Sequence, residues 1–375
     1  MTTDLTINTR AATPQAEPAA EAATVLRIRD LRITFDTASG PLRAVDGVDL
    51  DLRAGTTLGI VGESGSGKSV LSRAAMGLLP KSARYGENSV IEFDGRRLYP
   101  DPPKGLSDLW GNEMALIFQD PMTSLTPVMT VGAQLVETLR RHLPLGRREA
   151  RIRAVELLRR VGIADPEQRM RAYPHQMSGG MRQRVMIALS IACDPTLLFA
   201  DEPTTALDVT VQRQILDLLG DLQSRLGTAM VLVTHDLGVV AGRADRIAVM
   251  YAGRIVETAP TRDLFHNLAH PYTSALLESI PQLDSPSGTR LKAIGGLPPR
   301  VVGEPSGCAF APRCQRATDR CRSEVPSLLP LTPVRVDDGN DAERMPSAHP
   351  AGHLPVAGED VHSVACHFPL TGEER

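Results

Sequence analysis

From about Val25 to Leu264, short apolar runs alternate with segments whose apolar positions recur at helical spacing. That alternation predicts an α/β fold. Three of the runs carry no polar interruption: Leu58–Val61, Leu197–Ala200 and Met230–Val233. Such runs fit strands covered on both faces, as in a parallel sheet. Each ends at polar residues: the glycine-rich turn at Gly62, the pair Asp201-Glu202, and Thr234-His235. In parallel sheets ligands bind off the carboxyl ends of the strands, so the three predicted strands converge on one candidate site. Ser69–Leu79 places Leu71, Ala74, Ala75 and Leu78 on one helical face, and Val185, Ala188, Leu189 and Ala192 mark a second helix.

The flanks read differently. Residues 1–24 are rich in Ala, Thr, Pro and Glu without periodicity, which predicts a disordered lead-in. Pro, Gly and Ser concentrate around Asp284–Gly307, marking a linker or irregular wrap. The expected division is therefore a lead-in over 1–24, an α/β unit over 25–264 and a small loop-rich extension over 265–375. An extension of that size builds little core and wants a staple.

Composition narrows the classes. The chain has 375 residues and a formal charge of −3, with 42% hydrophobic and 23% charged residues. Those values are ordinary for a globular protein. A pI of about 6.3 argues against broad nucleic-acid binding. No apolar run approaches the ~20 residues of a membrane helix, and no basic segment followed by an apolar core opens the chain. These features predict a cytoplasmic protein with reduced thiols. Cys193 lies among apolar residues and reads as a small core hydrophobe. The other four cysteines, Cys308, Cys314, Cys321 and Cys366, fall in the extension, where a reducing compartment favours metal binding over disulfides.

The chemistry begins at Gly62-Glu63-Ser64-Gly65-Ser66-Gly67-Lys68-Ser69, a phosphate-loop pattern. Glycines let backbone N–H groups approach β- and γ-phosphates, Lys68 adds a positive charge, and the Ser69 hydroxyl can ligate Mg²⁺. The helix that follows points its N-terminal dipole at the phosphates. Asp201 suits Mg²⁺ held through its water shell, and Glu202 is placed to polarise an attacking water. Two carboxylates capping a turn before Pro203 is the plainer reading, and the nearby phosphate loop outweighs it. Ser178-Gly179-Gly180 opens the second helix and presents N–H groups and a hydroxyl suited to a γ-phosphate. His235 in isolation would be an ordinary core histidine. At a strand end beside Thr234 and Asp236 it faces the phosphate site instead.

In this order the motifs resemble the ATP-binding subunit of ABC transporters over roughly Val25–Leu264. The resemblance implies a P-loop ATPase domain with a helical subdomain carrying the signature, binding ATP and Mg²⁺. It makes Gly62–Ser69 the Walker A loop, Asp201 and Glu202 the end of Walker B, and Gln119 the glutamine that contacts Mg²⁺ and the lytic water. Ser178–Gly180 becomes the signature, Ala206-Leu207-Asp208 the D-loop, and His235 the switch histidine. Phe35 aligns with the aromatic that stacks on adenine. Met177 and Met181 depart from the commonest signature but leave its serine and glycines intact.

Phe118–Leu125 and His270-Pro271-Tyr272-Thr273 look like the peptide-importer branch, which includes dipeptide, oligopeptide and nickel systems. The tail around Gly307–Cys314, with Cys321 and Cys366, is similar to that branch's C-terminal extension. This implies a four-iron four-sulfur cluster on the four cysteines, with zinc or unligated thiols as the alternatives. His362 and His367 are possible substitutes, although solvated loop positions suit both. The resemblance also implies a second ATPase subunit, two transmembrane permeases and an extracytoplasmic peptide-binding protein as partners. It places the chain at the cytoplasmic face of the membrane and implies no nucleic acid. A soluble ABC ATPase of DNA repair or translation would want heptads, tandem ATPase domains or a basic surface, none of which the sequence carries.

Overall fold

The computed structural model describes residues 23–120, 124–205, 207–279, 294–331 and 361–370. The expected lead-in up to residue 22, part of the linker around 284 and most of the stretch between Cys321 and Cys366 lie outside them, as does Ala206; Thr24, assigned to the lead-in, instead opens the first strand.

Two sheets organise the described residues. The smaller is antiparallel. Its long hairpin, β1 (Thr24–Thr37) and β2 (Gly40–Arg53), continues through β5 (Val90–Phe93) and β6 (Arg96–Tyr99), and β4 (Ala83–Tyr85) pairs with β1. The larger sheet runs in the order β12 (Leu329–Pro330), β13 (Ser363–Val364), β11 (Arg254–Pro260), β10 (Arg246–Tyr251), β3 (Thr57–Val61), β9 (Ala229–Thr234), β8 (Leu197–Asp201), β7 (Met114–Ile117). Its parallel part comprises β3, β7, β8, β9 and β10. The three strands expected from uninterrupted apolar runs are β3, β8 and β9, and they lie side by side.

The reason these runs lack polar alternation is visible in how the side chains divide. Leu197, Phe199, Val231 and Val233 enter one core, while Leu198, Ala200, Met230 and Leu232 enter another. Successive side chains point to opposite faces of a strand, so a strand between two cores must be apolar at every position. One core holds the antiparallel sheet and helix α1 (Lys68–Ala75). The other holds the helical subdomain, chiefly α2 (Val131–His142), α3 (Arg147–Arg160) and α4 (Gly179–Ser190). Helix α1 is shorter than expected. Met76 caps it and Gly77 follows at φ +68, so Leu78 lies beyond the helix.

The tail is more integrated than a loop-rich appendage. β11 (Arg254–Pro260) pairs antiparallel with β13 (Ser363–Val364), which pairs in turn with β12 (Leu329–Pro330). The large sheet thus continues from catalytic-type strands into the C-terminal extension.

Candidate active site

Four parallel strands deliver polar residues at their carboxyl ends. β3 runs into the glycine-rich loop, β7 into Phe118-Gln119, β8 into Asp201-Glu202, and β9 into Thr234-His235. The loop needs its glycines for contact as well as for torsion. A Cβ on Gly67, at φ +103, would stand 2.3 Å from the Ala44 carbonyl oxygen, and one on Gly62 would stand 2.1 Å from that of Met250. Lys68 begins α1 and is buried at 4% exposure, and its Nζ donates to the carbonyls of Gly62 (2.7 Å) and Glu63 (2.9 Å). Burial lowers the Lys68 ammonium pKa, while Glu202, Asp201 and Glu63 pull it upward. Ser66 Oγ is buried with no hydrogen-bond partner among the described residues, the kind of orphaned donor that a phosphate oxygen would satisfy. Ser64 and Gly65 are exposed.

The Ser69 hydroxyl donates to Asp201 Oδ1 at 2.9 Å, and burial raises the Asp201 carboxyl despite that bond. A hydroxyl and a buried carboxylate in contact suit a hard cation that prefers oxygen ligands. The pair therefore fits Mg²⁺.

Glu202 gathers the next ring of contacts and sits at φ +46, in the left-handed region. Its Oε2 accepts hydrogen bonds from Gln119 Nε2 (2.8 Å) and Thr205 Oγ1 (2.9 Å), and His235 Nδ1 stands 3.4 Å from Oε1. The His235 contact, aided by Thr205, holds the Glu202 carboxyl down to about 2. The same contact raises the His235 imidazole. A carboxylate so held is ionised near neutrality, the form that can accept a proton. Gln119, Glu202 and His235, singled out separately along the sequence, thus form one constellation. Thr205 was not anticipated, and its signal was weak: a hydroxyl three residues beyond the glutamate.

Ser178, Gly179 and Gly180 form the N-terminus of α4, where Ser178 Oγ accepts from the Met181 N–H (3.3 Å). The hydroxyl is exposed. Gln183 Nε2 ties this helix to the end of β8 by donating to the Pro203 carbonyl at 2.5 Å. Asp208 caps α5 (Val209–Leu226) through a 3.0 Å bond from the Val211 N–H. Phe35 stands on the antiparallel sheet, across from Leu42 and Ala83, half-buried against its core.

All four tail cysteines line one small, largely apolar cavity, together with His270, Phe310 and His367. None of the four is paired in a disulfide. Burial pushes Cys366 up to about 11 and raises Cys308 as well. Among the described residues, however, no three His, Cys, Asp or Glu side chains are arranged to hold a metal ion. The expected iron–sulfur or zinc site is therefore not supported by this arrangement: the sulfurs share a cavity without forming a ligand set. His362 is committed elsewhere, its Nε2 lying 2.8 Å from the buried Glu257 carboxylate, and His367 Nε2 lies 2.9 Å from the Glu324 carbonyl. Cys193 is half-buried against the core, as its apolar neighbours implied, and burial raises its thiol. No described helix is long and apolar enough to cross a membrane.

The family described as "ABC transporter" matches residues 45–205, and "Oligopeptide/dipeptide transporter, C-terminal region" matches residues 256–321. The oligopeptide transport ATP-binding protein OppD of Bacillus subtilis is 51% identical over 293 residues, covering 78% of this chain and 82% of that protein. The dipeptide transport ATP-binding protein DppD of Escherichia coli is 49% identical over 311 residues, covering 83% and 94%. Among solved structures, a dimeric ATP-binding cassette in a post-hydrolysis state bound to ADP and Pi superposes with a TM-score of 0.56 at 26% identity. It covers 63% of this chain and 99% of the other. The chain belongs to the ABC ATPase family, as a P-loop ATPase carrying the C-terminal region of oligopeptide and dipeptide transporters.

Proposed function

We propose that this chain is the ATP-hydrolysing subunit of an ABC importer that takes up dipeptides or oligopeptides. The observation that carries the reading is that one strand-end constellation holds the phosphate loop, the Ser69–Asp201 pair and the Gln119–Glu202–His235 group, in a chain about half identical to peptide-transport ATP-binding proteins. In this reading Lys68 and the loop N–H groups hold the ATP phosphates, and Ser69, Asp201 and Gln119 hold Mg²⁺. Bound there, Mg²⁺ would supply positive charge to offset that of the phosphate oxygens. Glu202 takes the proton of the attacking water, and His235 orients it. Phe35 is assigned to adenine.

Ser178, Gly179, Gly180 and Asp208 lie on an exposed helix start and the next helix cap, and we assign them to the ATP bound by a second ATPase subunit. That pairing, a heterodimer, would dock on two permeases at the cytoplasmic face, with a peptide-binding protein outside. The division into an ATPase unit over 25–264 and an extension over 265–375 belongs to the same proposal. The iron–sulfur reading of Cys308, Cys314, Cys321 and Cys366 enters it only through the likeness of residues 256–321 to the oligopeptide/dipeptide transporter C-terminal region, against the lack of a ligand set among the described residues. Anaerobic purification followed by iron, sulfide and zinc analysis tests that part: stoichiometric zinc without iron rejects the cluster, and absence of all three rejects any metal site there.

The whole reading is tested by co-purifying the chain with its permeases and measuring ATPase activity in proteoliposomes. Peptide with binding protein should stimulate hydrolysis, and the Glu202→Gln complex should not respond. Stimulation by nickel or another solute in place of peptide would favour the alternative importer. Failure to recover any permease would overturn transport.

A further inference from the structure

The C-terminal extension reaches the phosphate loop through one residue. Arg313 ends a short turn, Ala311–Arg313, directly before Cys314. Its guanidinium embraces Glu63, the second residue of the loop, with Nη1 donating to Oε2 at 2.6 Å and Nη2 to Oε1 at 2.9 Å. Its other donors are also used: Nε on the Gly295 carbonyl, Nη2 on that of Ile294, and Nη1 on the Tyr251 hydroxyl. Arg313 is 5% exposed and Glu63 24%. Planar two-point pairing of this kind is strong and geometrically specific.

Glu63 is held at three points. Its N–H donates to the Tyr272 hydroxyl at 2.8 Å, its carbonyl accepts from Lys68 Nζ, and its carboxylate takes Arg313. The Glu63 backbone touches Lys68 directly, its carbonyl 2.9 Å from Nζ, and the carboxylate one side chain away raises the Lys68 ammonium. A negative charge within reach of Lys68 is also within reach of the phosphates that Lys68 would meet, and without a counter-charge it would repel them.

We propose that Arg313 is a positioning residue for the nucleotide site, cancelling the Glu63 carboxylate so that the C-terminal extension sets how strongly the phosphate loop accepts a triphosphate. Arg313 touches no substrate in this scheme and acts through Glu63. The arrangement makes an ATP-binding loop dependent on a segment 250 residues away in sequence.

The test is the affinity of the full chain for a fluorescent ATP analogue in four forms: wild type, Arg313→Gln, Glu63→Gln and the double variant. Arg313→Gln leaves the carboxylate uncompensated and should weaken binding about tenfold, with the defect shrinking as salt rises. The double variant lacks the arginine too, yet should return to within about threefold of wild type, because no carboxylate remains to repel phosphate. A residue needed only to hold the tail's shape would give no such rescue and no salt dependence. Glu63→Gln, which keeps Arg313, should bind about threefold tighter than wild type at low salt and remains informative if Arg313→Gln fails to fold. Wild-type affinity in Arg313→Gln, a double variant as weak as Arg313→Gln, or a Glu63→Gln variant no tighter than wild type would each overturn the proposal.

Discussion

The Glu202 carboxylate meets three side chains, Gln119, Thr205 and His235, and each bears on what a substitution there should do. Glu202→Gln keeps the size and can still bond Thr205, but it cannot take a proton from water. Loss of a general base costs ~10²–10⁴-fold in rate. ATP should still bind, so phosphate release should collapse while nucleotide retention persists; rapid phosphate release with the partner's site disabled would contradict the assignment. The same substitution also tests the ion pair. His235 is raised above its ordinary 6.5 chiefly by Glu202, so its share of stability is complete below 6.5 and lost as pH climbs through the raised value. Glu202 is depressed to about 2, so its share is present above its ordinary 4.5 and lost as pH falls through about 2. Both shares are therefore present between pH 4.5 and 6.5. Imidazole NMR titration should find the His235 pKa above 6.5 in the wild type and lower in Glu202→Gln.

Helix α6 (Pro271–Glu278) shows how a capping residue links the tail side of the fold to the nucleotide loop. His270 is its N-cap, and the imidazole Nδ1 accepts from the Tyr272 N–H at 3.0 Å. The Tyr272 hydroxyl then accepts from the Glu63 N–H. Burial lowers the His270 pKa to about 4, since protonating Nδ1 would bury a charge and break the cap. A histidine depressed when folded binds fewer protons than the unfolded chain between about pH 4 and 6.5, so stability rises with pH across that window. Acidification from pH 7 to 4 should cost roughly 3 kcal/mol through this group. His270→Asn keeps a cap acceptor without the titration, so urea denaturation should show a shallower acid-side loss than in the wild type. An unchanged slope would mean that other groups carry it.

For the whole molecule, the decisive question is where the two ends of the ATP site lie. Lys68 is buried in this chain's own phosphate loop, whereas Ser178 is exposed at the start of α4. If Ser178 serves the neighbouring subunit, the two residues fail differently. Lys68→Ala should abolish nucleotide crosslinking to this chain, and Ser178→Arg should spare that labelling while halting hydrolysis at the partner's site. Subunit-resolved crosslinking in the assembled transporter reads both. Labelling lost from this chain alone in Ser178→Arg would place the signature in its own site.

The strands β3, β8 and β9, the phosphate loop and the carboxylates were legible in the sequence because each is a contiguous run of residues. An apolar strand between two cores needs no alternation, and a phosphate loop needs glycines at fixed spacing, so both leave a local record. The early end of α1 was recorded too, as Gly77, but the apolar stripe continuing through Leu78 hid it. What tertiary structure decided is what joins distant segments. The Gln119–Glu202–His235 ring assembles because neighbouring parallel strands bring their carboxyl ends together. β13 adds to the edge strand β11 because its backbone groups find free partners there, and a two-residue strand has too little length for a pattern. Four cysteines promised a ligand set, yet spacing along a chain does not fix distances between sulfurs, and folding brought them to one cavity without ligand geometry. The Arg313–Glu63 pair is the plainest case: a charge between Pro312 and Cys314 has no local mark of its partner, which only the packing of the extension against the loop supplies.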